Sequence, residues 1–209
     1  MRCKGFFITL EGPEGSGKSS QSRWLARRLR RAGYSVVLIR DPGSTAIGRA
    51  LRRLLLHTSA NLSPITEALL FIGGRAQLVE ECIQPALRQD RIVICDRFHD
   101  ATVAYQGFGG GLNVSWLDRL GRAAIHQVMP HLTILLDLPT KQGFARLHHS
   151  RDRMERKTVA FHRRLRQGYL RLAAREPERF HIVDATQPLV GVRASIERIV
   201  RRRLKTRRH

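Results

Sequence analysis

Five short runs rich in Ile, Val and Leu punctuate the chain, at residues 5–11 (GFFITLE), 34–40 (YSVVLIR), 91–95 (RIVIC), 132–137 (LTILLD) and 180–184 (FHIVD). They are too short for helices and mostly lack polar alternation, so they read as strands buried on both faces of a parallel sheet. The longer segments between them, 18–32, 64–89, 114–129 and 157–175, carry apolar residues at the 3.6-residue period of a helix. Strand and helix alternate throughout, which predicts a doubly wound α/β fold, a three-layer sandwich around a five-stranded parallel sheet. No linker, composition break or repeat divides the sequence, so residues 1–209 read as a single domain. Only the basic tail 201–209 (RRRLKTRRH) departs from the pattern and is expected to fray.

At 209 residues with 42% hydrophobic content, one compact domain can bury roughly 70% of its unfolded surface. The 38 Lys and Arg exceed the 17 Asp and Glu by enough to leave a net charge of +21, which points to an anionic substrate or partner. Cys3, Cys82 and Cys95 form neither an even set nor a CxxC pair, which argues against a disulfide framework and a structural zinc site. A reducing, cytoplasmic setting is expected. No apolar run approaches the ~20 residues of a spanning helix, and the first residues (MRCKGFFITLEG) do not resemble a signal peptide.

Ligands of open parallel sheets sit beyond the carboxyl ends of the strands. The predicted strands end at or just before Glu11, Asp41, Asp96, Asp137 and Asp184, a concentration of carboxylates in a chain that has few. Capping of strand ends explains such residues as well as chemistry does, more readily for Glu11 and Asp137 than for Asp41 and Asp96.

Gly12, Pro13, Glu14, Gly15, Ser16, Gly17, Lys18 and Ser19 match GxxxxGK[ST] between the first strand and the first helix, the context that gives this motif its meaning. Its glycines let successive N–H groups face phosphate oxygens at a helix N-terminus. Lys18 is placed for the β and γ phosphates and Ser19 for Mg²⁺, with Ser20 next in the turn. A nucleoside triphosphate is the expected ligand. The chain is short for a motor or helicase and lacks the NKxD motif of a GTPase. Two polar loops at the same edge, Asp41-Pro42-Gly43-Ser44-Thr45 and Asp96-Arg97-Phe98 leading to Ala104-Tyr105-Gln106-Gly107, are left to define a second substrate.

With Leu70-Phe71, Arg75-Ala76-Gln77, Thr102, Asp152-Arg153 ahead of Glu155, and Asp184-Ala185-Thr186, these segments resemble the thymidylate kinase family over nearly the whole chain. The resemblance implies a P-loop nucleotide-kinase fold, transfer of the γ-phosphoryl of ATP to dTMP, and a homodimer. It implies that Phe71 stacks on thymine, Arg75 donates to its O4, Thr102 adds a hydrogen bond, and Tyr105 with Gln106 forms a sugar-side wall excluding a ribose 2′-hydroxyl. Asp41 would accept from the 3′-hydroxyl. Arg97, with Arg75 or Arg49, would clamp the acceptor phosphate, and Asp96 would orient Arg97 or a Mg²⁺-bound water.

The basic segment 146–156 (RLHHSRDRMER) is expected to act as a lid. Because the phosphate loop has no arginine, the lid should supply the catalytic one, with Arg153 ahead of Arg151 and Arg156, while His148 and His149 read as solvated. Ser44, Ala101 and Gly73-Gly74 depart from the family pattern and bear on selectivity. Another nucleoside or nucleoside-monophosphate kinase is the alternative enzyme. A nucleic-acid-binding protein is the alternative outside catalysis, suggested by the arginine clusters at 27–31 and 52–53 and by the tail.

Overall fold

A computed structural model describes residues 5–147 and 152–206. Among them β1 (Phe6–Glu11), β2 (Val36–Arg40), β3 (Ile92–Asp96), β4 (Leu132–Asp137) and β5 (Phe180–Asp184) form one all-parallel sheet in the order β2-β3-β1-β4-β5. Ile8 pairs with Ile94 on one side and Leu132 on the other, placing the most apolar strand in the middle. Alternate side chains serve opposite layers. Phe6, Ile8 and Leu10 pack with α1 (Lys18–Arg31) and α9 (Leu189–Lys205), whereas Phe7 packs on the other face beneath the helical layer that begins with α3 (Pro64–Leu78). No helix among the described residues is long and apolar enough to cross a membrane.

The expected helix 64–89 is a continuous run in which α3 widens into a π-helical turn (Val79–Ile83) before α4 (Gln84–Arg88). Pro85 cannot donate to the carbonyl four residues back, and the ladder changes register just ahead of it. The expected helix 114–129 stops earlier, as α6 (Val114–Ala124), because His126 and Gln127 take positive φ values of 50° and 59° in the turn toward β4.

Four helical elements lay outside the periodicity reading: α2 (Ala46–His57), α5 (His99–Thr102) with its π-helical continuation (Val103–Gly109), α7 (Thr140–Ala145) and α9. In α9 the stripe Val192, Ile196, Val200 and Leu204 is buried, but arginines between its members obscure it in the sequence. The tail expected to fray from residue 201 is helical through Lys205, with Leu204 in the core. Another long helix, α8 (Val159–Arg175), covers the β4–β5 side and buries Leu165 and Tyr169.

A buried polar chain fixes the segment after β3. Thr9 and Thr133 share a 2.9 Å hydrogen bond across β1 and β4, and Arg179 donates to Thr133 at 2.7 Å while gripping both oxygens of Asp100 at 2.7 and 2.9 Å. Glu176 links Arg179 to Arg122, whose other partner, Asp118, receives His99 at 2.8 Å. Burial alone would raise the Asp100 carboxyl, but Arg179 outweighs it and holds the carboxyl below the usual range. Removing one charge from such a pair strands the other. Asp100→Asn is therefore expected to lower unfolding free energy by about 3–5 kcal/mol in denaturant titrations, whereas Arg198→Ala, on exposed surface, should leave it within about 0.5 kcal/mol.

Candidate active site

The phosphate loop closes on itself through glycine geometry. Gly12 and Gly15 have φ of 142° and 70°, and a Cβ at Gly15 would lie 2.2 Å from the carbonyl of Gly143 in α7. Gly17 gives the first turn of α1 no side-chain cap, leaving its N–H groups available to an anion. Lys18 Nζ donates to the Pro13 carbonyl at 2.6 Å and to Ser16 Oγ at 3.3 Å. Burial, reinforced by the nearby charge of Arg97, pulls its ammonium down to about 7.

Ser19 Oγ donates to Asp96 Oδ2 at 2.5 Å, so a hydroxyl and a carboxylate sit together beside Lys18. That is a hard oxygen-donor pair of the kind Mg²⁺ takes when phosphates and water complete its shell. No group of three or more His, Cys, Asp or Glu that could hold a metal ion occurs among the described residues. Ser20, next in α1, is exposed.

The strand-end carboxylates divide by what they touch. Glu11 accepts from the Phe98 amide at 2.6 Å and from Tyr169 at 2.8 Å, Asp137 pairs with Arg166 at 2.7 and 2.8 Å, and Asp184 caps Thr186. Burial, with the charge of Asp100, pushes the Glu11 carboxyl up to about 8. These three organise backbone or surface. Of the five, Asp41 lines a cleft beside the phosphate loop and Asp96 meets the loop itself through Ser19.

That cleft encloses about 630 Å³ up to its open mouth. Phe71 and Arg75, four residues apart on one face of α3, form one wall, and Glu67, one repeat earlier on that face, lies beyond the lining. The Arg75 Nε donates to Asp41 Oδ2 at 2.5 Å, both residues being almost fully buried. Ala101, Thr102, Tyr105 and Gln106 line the facing wall. Four buried polar atoms of this lining lack a hydrogen-bond partner among the described residues: Asp41 Oδ1, Arg75 Nη1, Thr102 Oγ1 and Gln106 Oε1. Such atoms carry a desolvation cost that a complementary ligand removes.

Arg97 leaves β3 in the left-handed region, with φ 70°, its amide donating to the Leu10 carbonyl at 3.1 Å. Its guanidinium lies 4.8 Å from the Tyr105 ring centroid and 3.6 Å from Glu14. Tyr105 donates to the same oxygen, Glu14 Oε1, and His162 lies 3.1 Å from Glu14 Oε2. Burial works to raise Glu14, but the His162 hydrogen bond and the charges of Arg97 and Lys18 prevail, drawing it down to about 2.

Several expectations change. Glu14, grouped by sequence with the ATP loop, turns its carboxylate into the facing cleft. Arg49 is exposed and outside the cleft; Arg52, one turn further along α2, lines it and donates to the Pro42 carbonyl at 3.3 Å. Arg153, expected at the transferred phosphate, instead donates to the Leu55 carbonyl at 2.7 Å and pairs with Glu67 at 2.5 Å. Within the expected lid, Asp152, Met154 and Glu155 border the cleft, while His148, His149 and Arg151 lie outside the described residues. Gly74 lets α2 approach α3, since a Cβ there would meet Leu51 at 3.0 Å, and Ser44 accepts from the Arg40 amide at 2.8 Å. Arg40, Glu67 and His162 were not singled out from the sequence, and Arg52 only as part of an arginine cluster. Only Glu67, one helical repeat before Phe71 and Arg75, left a readable signal.

A family model described as thymidylate kinase matches residues 10–196. A thymidylate kinase of Thermomicrobium roseum is 49% identical over 186 residues, 88% of each chain, and one from a Synechococcus strain is 46% identical over 198 residues, 95% of each. The crystal structure of thymidylate kinase from Ehrlichia chaffeensis superimposes with a TM-score of 0.78 at 34% identity, covering 94% of this chain and 98% of that one.

Lys18 carries a pH prediction. With its free-state value near 7, a bound triphosphate must raise the affinity of Nζ for its proton, so binding takes up a proton above that pH. Triphosphate affinity should fall by up to about tenfold per pH unit between about pH 7 and 9. Calorimetry in buffers of different ionisation enthalpy should register the uptake, and Lys18→Met should abolish it.

Proposed function

The chain belongs to the thymidylate kinase family, whose activity is phosphorylation of dTMP to dTDP, and from that premise we propose how its residues divide the work. The reading is carried by the four unpartnered buried atoms of the cleft. Arg75 Nη1 offers a donor for thymine O4, Thr102 and Gln106 offer further base contacts, Asp41 Oδ1 accepts from a sugar hydroxyl, and Phe71 supplies the stacking face. Tyr105, its hydroxyl tied to Glu14 and its ring under Arg97, forms the rigid sugar-side wall.

ATP binds along the phosphate loop, with Gly12 to Ser19 presenting N–H groups to the phosphates and Lys18 following the charge that passes between donor and acceptor. Ser19 and Asp96 would hold Mg²⁺, which when bound neutralises charge on the phosphate oxygens. Arg97 grips the acceptor phosphate from the opposite side of Glu14, and Arg52 extends the positive wall. The lid segment excludes water, so that transfer goes to the nucleotide. Arg153 is not assigned to the transferred phosphate, since its donors serve Glu67 and Leu55.

A homodimer fits the surface. Ile47 and Leu54 on α2, Ile65 and Leu69 on α3, and Trp116 on α6 are exposed apolar residues on helices that pack side by side. A second copy of this chain is the occupant argued here, because a self-complementary apolar face closes by two-fold symmetry.

A coupled assay of ADP release comparing dTMP, dUMP, dGMP and thymidine as acceptors should show a clear preference for dTMP. Arg97→Met should lower kcat with dTMP by roughly 10²–10³-fold while leaving ATP affinity largely intact. Equal turnover of thymidine and dTMP would remove the phosphate clamp. In sedimentation, the parent chain should run as a dimer and a Leu69→Glu variant as a monomer.

A further inference from the structure

Glu67 has no role in the reading above, yet it joins three parts of the site. It is buried on α3 and both its oxygens are taken: Oε1 accepts from Gln106 Nε2 at 2.9 Å, and Oε2 pairs with Arg153 Nη2 at 2.5 Å. Arg153 is itself fixed, its Nε on the Leu55 carbonyl at 2.7 Å and its amide on the Leu56 carbonyl at 3.1 Å. Gln106 is almost completely buried, and its Oε1 has no partner among the described residues.

A side-chain amide can face either way, and its neighbours choose the orientation. A carboxylate paired with a guanidinium only accepts, so an amide beside it must present nitrogen; reversal would bring oxygen against oxygen in a buried place. The far end of Gln106 is then an acceptor, on the wall that shares the cleft with Phe71 and Arg75. We infer that Glu67 is a positioning residue for base selection: it locks Gln106 with its carbonyl toward the nucleobase, ready to accept from a ring N–H.

The inference rests on the assigned activity and sharpens its substrate choice. A pyrimidine with a protonated N3 beside a carbonyl at C4 satisfies Gln106 and Arg75 together. A pyrimidine with an unprotonated N3 beside an exocyclic amine meets the wrong group at both places. The same lock gives Arg153 a function, because that arginine keeps Glu67 acceptor-only while fastening residues 152–156 against α3.

The test compares kcat/KM for dTMP and dCMP, with dCMP also measured as a competitive inhibitor where turnover is slow. Glu67→Gln replaces an obligatory acceptor with a group that can donate, freeing Gln106 to reverse. The dTMP-to-dCMP ratio should fall about tenfold or more, partly through tighter dCMP binding. Gln106→Met leaves the Glu67–Arg153 pair intact and serves if the first variant folds poorly; it should lower the same ratio through loss of dTMP alone. An unchanged ratio in both, or equal losses for both nucleotides, would overturn the inference and make Glu67 a packing element. Absence of dTMP turnover in the unmodified chain would instead strike the activity on which the inference rests.

Discussion

Two cations, Lys18 and Arg97, are held near each other in the site, and the rest of the arrangement follows from that repulsion. Arg97 helps pull the Lys18 ammonium down to about 7, while Glu14, itself drawn down to about 2, lies between their fields and attracts both. Asp96 and Glu11 also attract Lys18, yet together these carboxylates do not offset its burial and the charge of Arg97. An anion-bearing ligand does, so the apo site is electrostatically set for phosphate. The repulsion is tolerable because it is relieved when donor and acceptor phosphates enter.

Holding Arg97 in that place is work for the layer beneath it. Its left-handed backbone is secured by the Leu10 carbonyl, and the next residue, Phe98, is fixed by Glu11 and packed edge-on against Phe7. Two residues further on, Asp100 is clamped by Arg179 and tied through Thr133 to the sheet. The guanidinium is thereby aimed by backbone and core, with Tyr105 supplying a flat support. A clamp built this way costs little reorganisation at the moment of transfer.

Base recognition uses a different economy of charge. On the acceptor side the groups that contact protein and the groups that face the cleft are opposite ends of the same side chains: Asp41 and Arg75 pair through one atom each and leave one each unpartnered. Gln106 behaves likewise against Glu67. Each protein contact sets the orientation in which the remaining atom is offered, so under the proposed reading selectivity would rest on these buried pairs as much as on the lining itself.

The sequence by itself determined the sheet, the phosphate loop and the family, because buried parallel strands and glycine-governed phosphate loops are local patterns that neighbours in the chain impose on one another. It also nominated Asp41, Phe71, Arg75, Arg97, Thr102, Tyr105 and Gln106, all of which line the cleft. Tertiary structure alone decided which arginine of α2 faces inward, Arg52 and not Arg49, since that depends on how the helix is rotated against the loop after β2. It also redirected Arg153 to Glu67, 86 positions away in sequence, and turned Glu14 from the ATP side to the acceptor side through His162, 148 residues away. These choices rest on distances between elements and on which buried charges find partners, and neither is set by local sequence.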